Sequence, residues 1–186
     1  MDEIVEAALR KWPNVPHCYG WLGLDARGDW YLRDAAAQAA GAFPAVKGSR
    51  ILHDRLRAFI ERNYAADADG CWYFQNGPQR VYVELEAAPW IWRLASGPGG
   101  ATATSHTGRA ARFAGAWLDE AGRLFLVSAF GAGLVHSLDM ELASGEVEAG
   151  RWRPETIAFA ELPQRFGYRL SPAARRLAIS PPSPCS

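Results

Sequence analysis

The chain has 186 residues, of which 49% are hydrophobic, and its 20 basic and 20 acidic side chains give a formal net charge of zero. This length suits one large domain or two small halves. The balanced charge excludes a general electrostatic attraction to nucleic acid or to an anionic membrane, and no apolar run is long enough to span a bilayer.

The N-terminal segment predicts a short amphipathic helix over residues 2–11. Ile4, Val5, Ala8 and Leu9 recur at helical spacing. The segment begins acidic and ends basic, which suits the helix dipole and is the reverse of a secretory signal. The three cysteines of the chain are an odd number without CxxC spacing, which is typical of reduced thiols. We therefore expect a cytoplasmic protein.

Three stretches share a DxxG motif that is followed, after one variable residue, by three large apolar or aromatic residues. The motifs are Asp25–Gly28, Asp67–Gly70 and Asp119–Gly122. We expect each Asp to accept backbone hydrogen bonds at the start of a turn and each Gly to adopt the left-handed conformation that lets a strand begin. The motifs therefore predict three chain reversals.

Around the first turn the sequence predicts strands at 19–24 and 29–33, followed by an alanine-rich segment, 34–42, that is a brief helix or a loop. A helix is predicted from Ser49 onwards, with Ser49 as a candidate N-cap. Its apolar stripe consists of Ile51, Leu52, Leu56, Phe59 and Ile60.

The second turn predicts a hairpin. A strand at 71–75 is followed by a reversal at Asn76-Gly77-Pro78 and by a second strand with alternating polarity. Alternation predicts a sheet with one buried face and one solvated face. The apolar set is Val81, Val83 and Leu85, and the alternating set is Arg80, Tyr82 and Glu84. A further strand is expected from Pro89 to Leu94.

The segment Ser96–Gly100, which reads SGPGG, is the strongest break in the chain. Beyond it, the sequence predicts strands at 113–118, 123–128 and 134–138, joined by the third turn and by a reversal at Gly131–Gly133. A short helix is expected within 154–166.

We therefore predict an α+β fold, mainly antiparallel sheet in two similar halves with packed helices. The N-terminal α+β half covers 1–95 and holds two DxxG hairpins, and the mostly β half covers 101–172 and holds the third. Residues 180–186 are expected to form a flexible tail. Since the second and third turns both precede a strand, a reversal and a strand, a weak internal duplication explains the order.

Two longer stretches carry a family resemblance, PNVPHCYGWL at 13–22 and GCWYFQNGPQRVYV at 70–83. On these residues the chain resembles a proteobacterial family of unknown function, domain of unknown function 2946. Its layout of helix, DGxWYF-like strand and Pro-containing strand is also distantly similar to another bacterial family of unknown function, whose fold contains structural repeats and for which signal transduction has been suggested. The resemblance implies a repeat-containing α+β fold and a regulatory role.

No sequence motif indicates a reaction. The chain lacks a GxSxG elbow, a P-loop and a GxGxxG motif. Its histidines have neither HxxxH nor HxH spacing, and the adjacent His17 and Cys18 would point to opposite faces of a strand. We therefore predict no metal and no cofactor. The enzymatic alternative is a small enzyme that uses His17, Cys18 or His106 in a cleft between the two halves, with Cys18 as the candidate nucleophile.

The second hairpin carries the most informative candidate surface. Its amides, Gln75 and Asn76, are backed by Arg80, Tyr82 and Trp72, a combination that can dock a peptide, a carboxylate or a small polar ligand. The alternative interpretation is purely structural, with a turn at Asn76-Gly77 and a pairing of Arg80 with Glu84 on one strand face.

Our leading hypothesis is a non-catalytic cytoplasmic binding or regulatory module whose partner is a protein or a small polar ligand. The missing catalytic motifs and the polar, aromatic hairpin favour it over an enzyme. A third option is a protein that dimerises through an exposed tryptophan-bearing edge. We expect no membrane binding, and the neutral net charge does not favour nucleic acid.

Overall fold

The computed structural model describes residues 2–12 and 14–179, so the predicted tail at 180–186 lies outside the described residues. Helices and two mixed sheets confirm the α+β class. The helices are α1 (Glu3–Lys11), α2 (Ala35–Ala40), α3 (Asp54–Arg62), α4 (Met140–Glu148), α5 (Leu162–Phe166) and α6 (Pro172–Ile179). The strands are β1 (Cys18–Leu24), β2 (Trp30–Leu32), β3 (Ser49–Arg50), β4 (Tyr64–Ala66), β5 (Trp72–Asn76), β6 (Gln79–Leu85), β7 (Trp90–Ala95), β8 (Thr102–Ser105), β9 (Ala110–Ala111), β10 (Phe113–Leu118), β11 (Leu124–Ser128), β12 (Gly131–Val135) and β13 (Glu155–Thr156).

The chain divides into two compact units. Unit 1 is formed by Met1–Leu24, Trp30–Glu86 and Arg169–Ser186, and unit 2 by Asp25–Asp29 and Ala87–Tyr168. These bounds differ from the predicted 1–95 and 101–172, because β7 pairs with β8 and β12. The segment Ser96–Gly100 therefore connects two neighbouring strands of unit 2.

The two sheets share one plan. The order in unit 1 is β3-β2-β1-β6-β5-β4, and in unit 2 it is β13-β10-β11-β12-β7-β8-β9. In each sheet, three consecutive strands run outward from the centre and the next three run inward, so that the first and sixth pair in parallel. The other neighbouring pairs are antiparallel, except that β13 is parallel to β10.

All three predicted DxxG turns form as expected. One carboxylate oxygen of each Asp accepts the backbone N–H groups of the residues two and four positions later, at 2.8–3.0 Å. The turn glycines have φ values of 82°, 78° and 73°. A fourth turn has Ser105 in the Asp position, where its Oγ accepts from the Arg109 N–H at 3.1 Å. Ser105 is thus a turn former.

The predicted start of the third helix at Ser49 is wrong. Ser49 lies in β3 opposite Leu32, and the Ile51 N–H continues this pairing by donating to the Trp30 carbonyl at 2.8 Å. Helix α3 begins at Asp54, after His53, whose Nδ1 accepts the Leu56 N–H. The backbone groups that an earlier helix start would need form hydrogen bonds with β2 instead.

The prediction that one face of β6 is solvated is also wrong. Val81 and Trp72 face the side of the sheet on which α3 packs, whereas Tyr82 and Glu84 lie on the opposite side. Tyr82 and Glu84 are only 5% and 4% exposed, because α6 packs across β6 and β1. The Glu84 carboxylate accepts the Ala173 N–H at the start of α6, and its burial raises the Glu84 pKa.

The core of unit 2 is built around two stacked tryptophans. Trp90 and Trp92 of β7 are buried, with ring centroids 6.2 Å apart. Gly133 passes beside them in β12, where a Cβ atom would overlap Trp92 Nε1 and lie 2.6 Å from Trp90 Cβ. The predicted reversal at Gly131–Gly133 is wrong, because both glycines lie in β12, and at Gly133 close packing leaves no room for a side chain.

Across the described segments, no helix combines the length and the apolar composition that crossing a membrane requires.

Candidate functional site

The turn between β4 and β5 builds one wall of a small pocket in unit 1. Asp67 Oδ1 accepts the N–H groups of Asp69 and Cys71, and its Oδ2 accepts the Tyr82 hydroxyl at 3.0 Å. Both oxygens of the Asp67 carboxylate are therefore engaged. The same aspartate that forms the turn also fixes the direction of a tyrosine on β6.

Stacked tyrosines form the floor. Because β1 and β6 run in parallel, Tyr19 lies next to Tyr82, with ring centroids 4.5 Å apart and planes 10° from parallel. Tyr73 on β5 is paired with Tyr82 and contacts its ring edge-on at 5.8 Å, and the His17 ring makes a similar contact from the other strand. Such offset and edge contacts are favourable geometries for aromatic rings.

Helix α6 closes the pocket. Arg175 donates to the Asp69 carboxylate at 2.9 Å and to the Asp69 carbonyl at 3.1 Å, and the Arg176 guanidinium lies 4.8 Å from the Tyr19 ring centroid. We call this cavity, of about 240 Å³, the tyrosine pocket. It is lined by Tyr19, Asp67, Asp69, Cys71, Tyr82, Pro172, Arg175 and Arg176.

Two guanidinium groups lie beside the tyrosine stack, and the charge of Asp67 acts on one of them, Arg80. Arg80 lies 4.5 Å from the Tyr73 ring centroid, and Arg176 rests on Tyr19. Within residues 2–12 and 14–179, neither forms an ion pair. Counting Asp67 and Asp69 against Arg80, Arg175 and Arg176 leaves one positive charge in excess, so the local balance favours an added negative group.

Burial sets the protonation of the neutral groups at this site. Burial raises the pKa of the Tyr82 hydroxyl, and the charge of Asp67 raises it further. The Cys71 pKa is raised for the same two reasons, whereas desolvation and the charge of Arg80 lower the pKa of His17. At neutral pH the Tyr82 hydroxyl and the Cys71 thiol are thus protonated, which does not suit Cys71 as a nucleophile.

The five predicted surface residues do not lie on one face. Arg80 and Tyr82 adjoin the tyrosine pocket, but Trp72 packs against Tyr64 on the opposite side of the sheet. Asn76 lines a separate apolar cavity on that opposite side. Gln75 is 1% exposed and donates its amide to the Gly77 carbonyl at 2.9 Å, so it stabilises the hairpin from inside.

Two of the candidate catalytic residues lie on opposite faces of the sheet in unit 1. His17 contacts the Tyr82 ring, whereas Cys18 lines the apolar cavity on the other face. His106 belongs to unit 2, where its Nδ1 accepts the Ile91 N–H at 3.3 Å and its ring packs beside Trp90. His17 and Cys18 therefore cannot act together on one face, as their adjacency on a strand predicts.

Sequence reasoning missed the residues that α6 contributes. Arg175 and Arg176 follow Ser171-Pro172, an N-cap residue and a first-turn proline, which is a recognised helix-start signal. The Ser171 Oγ accepts the Ala174 N–H at 3.1 Å. In the described part of the chain, no group of three or more His, Cys, Asp or Glu side chains is placed to hold a metal ion.

Comparisons with known proteins place this architecture in a family. A family model described as a protein of unknown function (DUF2946) matches residues 1–173. A comparison with curated protein sequences found no match. Two solved structures of DUF1285 family proteins are similar. The one from Shewanella baltica OS155 is 13% identical, with a TM-score of 0.47, covering 68% of this chain and 92% of that one. The one from Silicibacter pomeroyi DSS-3 is 14% identical, with a TM-score of 0.47, covering 76% and 82%.

Proposed function

Because the chain belongs to the family of proteins of unknown function (DUF2946), for which no catalytic function is indicated, we propose that it is a non-catalytic binding or regulatory module. Its ligand is a small polar molecule with a negatively charged group, bound in the tyrosine pocket. We also propose a cytoplasmic location, because Cys18 and Cys71 are free thiols and reduced cysteines are typical of that compartment. The proposal includes no nucleic-acid role.

One observation carries the proposal. Arg176 lies over Tyr19 of the stacked tyrosine pair and Arg80 lies over the adjoining Tyr73, and neither forms an ion pair with a described carboxylate. Both oxygens of the nearby Asp67 already accept hydrogen bonds. Guanidinium groups bind carboxylates and phosphates through strong, directional hydrogen bonds. The protonated Tyr82 hydroxyl donates to Asp67. The pocket therefore offers a ligand the positive charge of the arginines and the aromatic surface of the tyrosine rings.

The test is isothermal titration calorimetry of the full chain with citrate and with inorganic phosphate. We expect at least one of these anions to bind, and we expect Arg176→Ala and Arg80→Ala each to weaken that binding by about tenfold or more, since each removes a charged partner. The matched control is Arg55→Ala, an exposed arginine of α3 on the other side of the sheet, which should bind like the wild type.

The proposal fails if neither anion binds to the wild type at millimolar concentration. It also fails if the Arg55→Ala variant loses as much affinity as the two pocket variants. The tryptophan fluorescence spectrum of each variant, compared with that of the wild type, shows whether the fold is retained.

A further inference from the structure

One edge of the sheet in unit 2 is open over half a strand. Strand β10 pairs with β11 from Phe113 to Leu118, but on its other side it pairs with β13 only at Trp117 and Leu118. Among the described residues, no strand pairs with this side of β10 before Trp117. Its backbone donors and acceptors there form a template that another extended chain can join.

A cleft of about 970 Å³ lies along this open edge. It also borders the start of β8, because the short β9 pairs with Ala103 and Thr104 and leaves Thr102 beyond its reach. We call this cavity the edge cleft. Its walls carry small side chains that let a second backbone approach closely: Ala101, Ala103, Ala110, Ala111, Ala114, Gly115 and Ala116.

The edge cleft is bordered by positive charge. Arg112, Arg151 and Arg153 line it, and Glu155 is the acidic residue in its lining. Arg151 is held by Glu146, with a distance of 2.6 Å between Nε and Oε2. Arg112 and Arg153 are exposed, and neither forms an ion pair within residues 2–12 and 14–179. A partner segment with negative side chains therefore complements this surface.

The aromatic rings of the cleft are already engaged with one another. The Phe113 ring meets Trp152 edge-on at 6.1 Å, and Trp117 meets Phe166 at 4.8 Å while packing directly on Gly115. Single-stranded nucleic acid needs free aromatic faces for base stacking. The open backbone and the small side chains favour a peptide instead.

We propose that the edge cleft binds an extended acidic segment of a partner protein, which adds as a strand to the open side of β10. Backbone hydrogen bonds to the open side of β10 at Ala116, which lies two residues before Leu118 and its bond from Ile157, supply the affinity, and Arg112 and Arg153 select negative side chains. This inference concerns unit 2 and does not depend on the ligand of the tyrosine pocket.

The probe is a short fluorescein-labelled peptide of alternating glutamate and threonine, whose binding to the full chain is followed by fluorescence anisotropy. We expect binding that weakens by about tenfold or more in the double variant Arg112→Glu/Arg153→Glu, because two attractive charges become repulsive. Arg55→Glu, the same charge reversal at an exposed position of unit 1, provides the control and should retain most of the affinity. Hydrogen exchange at the Ala116 amide should slow when the peptide is bound.

A second peptide separates strand addition from simple charge attraction. Methylation of every backbone nitrogen keeps every glutamate but removes all the donors that a strand ladder requires on either edge of the peptide, so we expect this peptide not to bind. Equal binding of the methylated peptide would overturn the proposal, as would unchanged binding by the double arginine variant. A labelled oligothymidylate that binds more tightly than the acidic peptide would overturn it too. Peptide binding that survives Arg176→Ala is expected, and it separates this inference from the pocket proposal.

Discussion

The role of the turn aspartates can be measured at Asp119, because its side chain is fully buried and each of its bonds is defined. Oδ1 accepts the N–H groups of Ala121 and Arg123 at 3.0 and 2.8 Å, and Oδ2 accepts Arg123 Nε at 2.7 Å. Asp119→Ala removes all three bonds and leaves two backbone donors without their partner. Counting each of the two backbone bonds at about 1.5 kcal/mol and the partly exposed Arg123 pair at about 1 kcal/mol, we expect a loss of about 4 kcal/mol.

Two further variants separate the components of this loss. Asp119→Asn keeps an oxygen for both backbone donors but replaces Oδ2 with an NH2 group, so it loses the charge and the bond from Arg123 Nε. Since Arg123 is one-third exposed, we expect a loss of about 1 kcal/mol. Gly122→Ala keeps every bond, and its Cβ would meet nothing within 4 Å, but φ is +73°. Its expected loss is about 1–2 kcal/mol from backbone strain alone.

The assay is urea unfolding of the full chain, followed by tryptophan fluorescence, with the dependence on denaturant compared between variants. Hydrogen exchange at the Arg123 amide provides a local readout and should accelerate in Asp119→Ala more than in Asp119→Asn. If Asp119→Ala and Asp119→Asn lose the same stability, the two backbone bonds contribute nothing measurable, and the turn-former interpretation of all three aspartates is refuted.

Two other predictions concern the core of unit 2. Burial lowers the pKa of His106 to about 3, so as the pH falls the unfolded chain takes up a proton at this residue before the folded chain does. The stabilising contribution of the neutral ring is complete above about pH 6.5 and is lost by about 1.4 kcal/mol per pH unit as the pH falls towards 3. The difference in unfolding free energy between wild type and His106→Gln, measured by urea titration, should therefore be smaller at pH 5 than at pH 7, and a constant difference would contradict the burial of a neutral ring. Gly133→Ala should destabilise the protein by about 3 kcal/mol, because its Cβ would meet the Trp90 backbone and the Trp92 ring. The control is Gly145→Ala, whose Cβ would meet nothing within 4 Å, and the melting temperature of Gly133→Ala should be clearly lower than that of this control. Equal melting temperatures would show that β12 shifts freely to accommodate the methyl group.

The turns and hairpins were predictable because their interactions are local. An aspartate that accepts N–H groups two and four residues later needs no distant partner, so the DxxG motif alone specifies the geometry. The same locality explains the correct interpretation of the Asn76-Gly77 reversal. Errors arose where a distant element competes for the same backbone groups, as at Ser49, whose pairing with Leu32 displaces the helix start.

The candidate site was only partly predictable. Arg80 and Tyr82 were selected from their strand, but the pocket needs α6, whose first turn is held by a carboxylate 89 positions away along the chain, Glu84. A strand pattern cannot report which helix covers it, so Tyr82 was assigned to a solvated face. The predicted family and the α+β class are confirmed because both depend on long segments of the sequence. The burial of one face of β6 depends on a single short helix, α6.

The repeated turn explains why the two units share a plan and still differ in chemistry. At Asp67 and Asp119 the first carboxylate oxygen has the same role, since it accepts the same two backbone donors. The second oxygen is free to take a different partner. In unit 2 it holds Arg123 of its own turn, which stabilises the turn only. In unit 1 it holds Tyr82 of another strand, which directs an aromatic ring into the tyrosine pocket. The proposed ligand pocket therefore depends on the residue that meets the second oxygen, a long-range partner that leaves the motif itself unchanged.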